Sequence, residues 1–419
     1  MMAKIISLLL FSSLLFSCRP IKSKHSEAFI KTKNELTEKL NEITKQTMFN
    51  GFGVALTNEN EVLYQNGFGI ANVETGEKYT ENSIQNIASV SKTFIGIAVL
   101  KAQELGKLKL DDSIDKYLPF KVENPTYRDH PITIRQLLTH TSSIVDNEEY
   151  LNRAWVLFDT INVEKNLKID IGECKFSAPS TEVSMEDFLT SVLSETGKWF
   201  RPSTFSEHKP GAIFNYSNMG ATLAALVLEK ATGQKFDAFT EQYIMQPLKM
   251  ESTGWGLNSI DIKKHSRLYI DKKTPYPFYT CVTYPDGSII TSSSDMSKYI
   301  CELMKGYTGK GTLLNKDSYR EFYTPQLKAE NFIGRDTTEF GDYNIGIMMS
   351  FGPTGNFGHF GGDPGLFSVI YFDKEKKTGK YYITNTDADG KEGGKSHGMI
   401  VKLLDEYSEK LDKLSRTNE

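Results

Sequence analysis

The sequence predicts an α/β domain whose strands come from both ends of the chain, interrupted by a mostly helical insertion. Two observations carry this. Strand-like runs punctuated by polar turns occur over residues 52–72 and return over 343–384. Between them the chain reads as helices joined by irregular stretches. Residues 34–106 and 265–415 therefore form the α/β part, and residues 107–264 the insertion. With 419 residues, 39% of them hydrophobic, the chain suffices for two substantial cores or one domain with a large insertion.

The elements follow in order. Met1-Met2-Ala3-Lys4 is a basic leader, and residues 5–16 are apolar but too few to span a bilayer. The run Leu15-Phe16-Ser17-Cys18 resembles a bacterial lipobox. That resemblance implies a signal peptide over 1–17 and a lipidated Cys18 holding an extracytoplasmic lipoprotein to a membrane of the cell envelope. The other reading is an ordinary secretory signal with an incidental cysteine. Residues 18–33 are basic and polar and read as a tether. Leu36, Leu40 and Ile43 at helical spacing predict an amphipathic helix over 34–48. Residues 52–56 and 62–64 form a hairpin about Asn58-Glu59-Asn60, and residues 67–72 continue its second strand.

Next comes Ile87-Ala88-Ser89-Val90-Ser91-Lys92, leading into an apolar helix with Phe94, Ile97 and Ala98 on its buried side and a stop at Gly106. Ser89 then lies in the first turn, with Lys92 one turn on and on the same face. The positive end of a helix favours developing anionic charge. A lysine there can take the serine proton if burial depresses its own pKa. The spacing Ser-x-x-Lys recurs at Ser113/Lys116 and Ser206/Lys209, but neither pair opens an apolar helix.

In the middle, residues 132–143 read as a short helix ending in a polar turn. Residues 146–179 are irregular and suggest a cover. Ser184 caps a helix to Glu195. A Pro210-Gly211 turn leads to Tyr216-Ser217-Asn218 and an apolar helix over 221–231, stopped by Gly233; a further helix over 236–245 ends at Pro247. Beyond the insertion, Ser292 to Asp295 cap a helix over 296–304. Residues 343–349 read as a strand, and residues 356–365 as a glycine-rich strand edge and turn. Residues 367–372 and 381–384 are two further strands, and residues 395–414 a final amphipathic helix.

Three stretches in this order, Ser89-Val90-Ser91-Lys92, Tyr216-Ser217-Asn218 and His359-Phe360-Gly361-Gly362, resemble the serine β-lactamase and penicillin-binding-protein-like hydrolases. The similarity is to the branch of class C β-lactamases, D-alanyl-D-alanine carboxypeptidases, D-aminopeptidases and esterases. It covers roughly residues 51–385 and implies a β-lactamase-like fold, an antiparallel sheet flanked by helices with an inserted helical domain. It implies catalytic roles for Ser89, Lys92 and Tyr216: Ser89 attacks a carbonyl to form an acyl-enzyme, while Lys92 and Tyr216 shuttle the proton. A phenol of pKa ~10 is a useful base only beside a cation. Asn218 would orient Lys92 and the substrate amide. Substrate would lie along His359 and the glycines Gly361 and Gly362, whose lack of side chains leaves it room, and the N–H groups of Ser89 and Gly362 would form an oxyanion hole.

Position 359 is usually lysine in β-lactamases. Histidine, only partly charged near neutrality, is a poorer anchor for a β-lactam carboxylate. The reading is therefore a serine hydrolase of D-amino-acid peptides, amides or esters. A β-lactamase, or a penicillin-binding or sensor protein without turnover, is the alternative on the same fold. No cofactor and no metal is expected. Residues 385–390 resemble the start of a calcium loop, but Ser396 occupies the twelfth position, and a polar surface turn is the reading. A net charge of −4 gives no footprint for nucleic acid, and the partners implied are a small-molecule or short-peptide substrate and a membrane. Cys174, Cys281 and Cys301 allow at most one disulfide, which the sequence does not decide.

Overall fold

The computed structural model describes residues 25–334, 343–352, 356–388 and 390–417; the leader over 1–17, Cys18 and the tether as far as residue 24 lie outside them. Eight strands, paired antiparallel throughout, form the main sheet. From one edge they run Asn344–Ile345, Ser350–Phe351, Phe357–Asp363, Leu366–Asp373, Thr378–Thr384, Gly51–Asn58, Val62–Asn72 and Glu77–Lys78. Chain ends meet at its centre, where Gly51–Asn58 pairs with Thr378–Thr384 from Phe52↔Thr384 to Asn58↔Thr378. Both of these strands are buried along their whole length because helices cover the two faces. The hairpin turn forms where expected: Asn58 Oδ1 accepts from the N–H groups of Asn60 and Glu61, each at 2.8 Å.

One face of the sheet carries the terminal helices Glu27–Thr44 and Gly390–Arg416, which bury Leu36, Leu40, Leu404 and Tyr407 against Phe52 and Val54. The first helix starts earlier than expected, inside the segment read as tether. Ser26 caps it by accepting from Phe29 N–H at 3.2 Å, and Phe29 is buried under the sheet. The other face carries Ser293–Tyr307 and the nucleophile helix Lys92–Glu104, joined by Phe94 stacked on Tyr299 at 4.0 Å. Asn218–Thr232, buried along most of its length and stopped by Gly233 at φ +76°, packs against the nucleophile helix from the insertion side.

Three expectations change. The segment read as an irregular cover is partly a sheet: its strands Trp155–Leu157 and Phe176–Ser177 pair with each other, and Trp155–Leu157 pairs with Tyr279–Cys281 from beyond the insertion. The strand over 343–349 is only Asn344–Ile345. The apolar run that follows turns back, with Gly346 N–H donating to Met349 O at 2.7 Å and Met348 N–H to Leu138 O at 3.0 Å. Ile347 to Met349 are apolar because they are buried against the nucleophile helix, and Met348 takes φ +53° to do so. Asn385 is buried rather than in a surface turn; it bonds Gly51 N–H at 2.7 Å and the carbonyl of Ile70 at 2.9 Å. Cys174, Cys281 and Cys301 are all free thiols.

Candidate active site

Ser89 lies in the 3-10 turn Ala88–Ser91, which runs directly into the helix Lys92–Glu104. Ala88 before it is held at φ +45°, a left-handed conformation costly for a residue with a Cβ. Hydrogen bonds from two sheets impose it. Ile87 N–H donates to Ile289 O at 3.0 Å, Ile289 N–H to Ser91 Oγ at 3.2 Å, and Ser368 Oγ to Ile87 O at 2.6 Å. The turn is therefore fixed before any substrate arrives.

Lys92 is fully buried, and its Nζ donates to Ser89 Oγ at 2.9 Å and to the carbonyl of Asp286 at 2.7 Å. Burial pulls its pKa down, but Tyr216 and the carboxylates of Asp286 and Asp146 outweigh this, and the net shift is upward. The condition under which Lys92 would act as a free amine base is not met; it is a buried cation. Asp286 is held in turn by Thr222 Oγ1 at 3.1 Å and by Tyr150, and burial pushes its carboxyl up to about 6.

Tyr216 is 38% exposed, with its ring facing the Lys92 ammonium, 5.2 Å from centroid to Nζ. Its other side packs on His140, ring centroids 4.4 Å apart. His140 sits at φ +54° in the polar turn after Ile134–Leu138, and its Nδ1 accepts from Ser217 N–H at 3.2 Å. Burial and the Lys92 charge hold it neutral, well below the usual imidazole range. Asp146 supplies the other anchor: it accepts from Ser217 Oγ at 3.0 Å and from the N–H groups of Asn218 and Met219 at 2.8 and 3.0 Å. It thereby caps the helix that Tyr216 precedes. Asn218 does not orient Lys92 as expected; the Asp286 carbonyl does.

The strand Phe357–Asp363 closes the site. His359 is buried, not presented on an open edge, because alternate residues of this strand turn inward. It faces Tyr216, centroids 6.4 Å apart, and its Nδ1 bonds Phe360 O at 2.8 Å. A carbonyl only accepts, so Nδ1 carries the proton and Nε2 is left as an acceptor. Burial, with Lys92 adding to it, drives the ring down to about 4. Gly361 also turns inward, and its role differs from expectation. A Cβ there would lie 2.6 Å from Ser89 N and 2.7 Å from Ile87 O, so the glycine makes room for the nucleophile turn rather than for substrate. Gly362 is the open position, exposed and with nothing within 4 Å of a Cβ.

Ser89, Lys92, Tyr216, His359, Gly361 and Gly362 thus converge on one site, with the Asn218 backbone at its margin. Sequence reasoning missed His140, Asp146 and Asp286. His140 stood in the polar turn read at the end of the short helix over 132–143. The other two carried no local signal, since each acts across 70 or more residues.

The family model described as Beta-lactamase matches residues 36–400. Protein flp of Staphylococcus aureus (strain MW2) is 25% identical over 256 residues, 60% of this chain and 44% of its own length. The chain therefore spans less than half the length of that relative. Penicillin-binding protein 4* of Bacillus subtilis (strain 168) is 23% identical over 88% of this chain and 73% of its own. Among solved structures, the octameric penicillin-binding protein homologue from Pyrococcus abyssi superposes with a TM-score of 0.66 at 23% identity, covering 84% of this chain and 73% of that one.

Proposed function

This chain belongs to the β-lactamase family, and on that premise we propose that it is a serine hydrolase that forms a covalent acyl-enzyme at Ser89 on small amides, D-amino-acid peptides or esters. The observation that carries this is the 2.9 Å contact between Ser89 Oγ and a lysine that is buried and cationic. A cation cannot take the serine proton. Tyr216 beside it takes that proton as the phenolate, paired with the Lys92 cation, and as the phenol so formed gives it to the leaving group. The acyl-enzyme is then hydrolysed by water. Ser89 N–H and Gly362 N–H hold the carbonyl oxygen, which supplies roughly a hundredfold or more in rate for each donor.

The neutral His359 ring supports a substrate without a carboxylate at that end, and ranks β-lactam turnover below amide and ester hydrolysis. The protein works outside the cytoplasm, anchored through Cys18; incorporation of labelled palmitate that Cys18→Ala abolishes is the expected result. The function itself is tested by hydrolysis of a p-nitrophenyl ester, with Ser89→Ala alongside. Turnover that vanishes in the variant supports the reading, and turnover that survives it overturns the reading.

A further inference from the structure

Tyr216 is the first of a row of aromatic rings, the rest of which the reaction itself does not use. On the far side of Tyr216 from Lys92 stands His140, and the ring of Phe214 meets His140 edge-on at 6.1 Å. Phe332 and Tyr343 gather about Phe214, with centroids 5.6 and 6.1 Å from it and 5.1 Å from each other. All three are half-buried, so each leaves part of its surface open to solvent. Ile333, next in the chain after Phe332, is 65% exposed. An apolar patch of this kind beside a reacting group marks a binding surface.

Three separate segments supply these rings, and hydrogen bonds tie the segments together. Phe214 N–H donates to Asn331 O at 2.7 Å, and Asn331 Nδ2 donates to Ala212 O at 2.7 Å. Asn344, which follows Tyr343, accepts from Leu327 N–H at 3.1 Å through Oδ1 and donates to Leu327 O at 2.7 Å through Nδ2. His140 O accepts from Asn215 N–H at 2.8 Å, which fixes the row to the turn that carries Tyr216. The wall is therefore set before substrate arrives, and binding against it costs little ordering.

The direction of the substrate follows from the site. The leaving group must lie where Tyr216 can protonate it, on the side of that ring away from Ser89. Its substituents then run over the exposed part of Tyr216 toward Phe214. His359, the other ring facing Tyr216, is neutral and offers no charge to a carboxylate there. We propose that Phe214, Phe332 and Tyr343 form the leaving-group subsite and that it takes an uncharged aromatic group, so that the favoured substrates are esters or amides whose alcohol or amine part carries an aromatic ring. The inference rests on the serine-hydrolase reading above, which sets where the leaving group stands.

The test uses benzyl acetate and methyl phenylacetate, isomers that carry the same phenyl ring on the alcohol side and on the acyl side. kcat/KM is measured for each and divided by its rate constant with hydroxide, which removes the difference in intrinsic reactivity. Benzyl acetate should be favoured by at least about tenfold, as burial of a phenyl ring implies. Phe332→Ala should abolish that preference, and Phe332→Leu should lower it part of the way. Both rates come from one preparation, so a loss of folded protein cancels in the ratio. Phe158→Ala, which removes an aromatic of 36% exposure on the cover, should leave the ratio unchanged. A ratio near one or below, turnover of neither isomer, or a preference that both Phe332 variants keep overturns the proposal. Hydrolysis of a p-nitrophenyl ester separates the two layers. If it depends on Ser89 while the benzyl preference is missing, only the subsite falls; if it does not depend on Ser89, the reading beneath falls.

Discussion

Replacing Gly361 with alanine should damage both stability and activity, and the structure says by how much. The new Cβ would stand 2.6 Å from Ser89 N, 2.7 Å from Ile87 O and 2.9 Å from Ala88 Cβ, the first about 0.8 Å inside the 3.4 Å where ordinary contact begins. None of these atoms can swing away. The strand is paired on to Leu366–Asp373, and the turn is held by Ile289, Ser91 and Ser368. Overpacking of such a site costs about 1–3 kcal/mol. The shift falls on the nucleophile, where misplacement by an ångström costs about a hundredfold in rate. Gly362→Ala is the internal control, since its Cβ meets nothing within 4 Å; it should change stability by less than about 0.5 kcal/mol. Denaturant unfolding and ester hydrolysis of both variants measure this. A Gly361→Ala protein as stable and as active as the parent would refute the packing argument.

Lys92→Met keeps the volume and removes the charge, and kcat/KM for ester hydrolysis should fall by about 10²–10⁴ while the protein remains folded by circular dichroism. Asp146→Ala leaves Ser217, Asn218 and Met219 without their acceptor; unfolding should show a loss of about 2–3 kcal/mol, with Asp146→Asn milder. His359 has its pKa lowered from 6.5 to about 4, so the unfolded chain binds the extra proton between those values. Its contribution to stability is present in full above about pH 6.5 and is lost as the pH falls toward 4. The loss amounts to about 3 kcal/mol from this group. His359→Gln should flatten the stability-versus-pH curve over that window, and an unchanged slope would contradict the burial of a neutral ring.

What the sequence made legible was local. The turn after Asn58, the serine caps at Ser184 and Ser292, the Gly233 stop and the Ser89 helix all depend on residues within a few positions of one another. Ser89 and Lys92 could be picked out because they open an apolar helix, as Ser113/Lys116 and Ser206/Lys209 do not, and Tyr216 because it follows a Pro-Gly turn and leads into one. What stayed hidden depends on distance along the chain. Whether Lys92 is a base or a cation is decided by burial against Tyr216, Asp286 and Asp146, all brought to it by folding. The run Ile347-Met348-Met349 looked like a strand because burial and strand-forming residues overlap in type. Gly361 was singled out correctly as a glycine that must be one, but the neighbour requiring it is the nucleophile's own backbone.

The most direct test of the central claim is intact mass after acid quench during incubation with a p-nitrophenyl ester and, separately, with benzylpenicillin, followed by peptide mapping. An acyl adduct on the peptide containing Ser89 with at least one of the two, absent in Ser89→Ala, is the predicted result. An adduct that persists in Ser89→Ala, or maps to another residue, or no adduct with either compound, would contradict it.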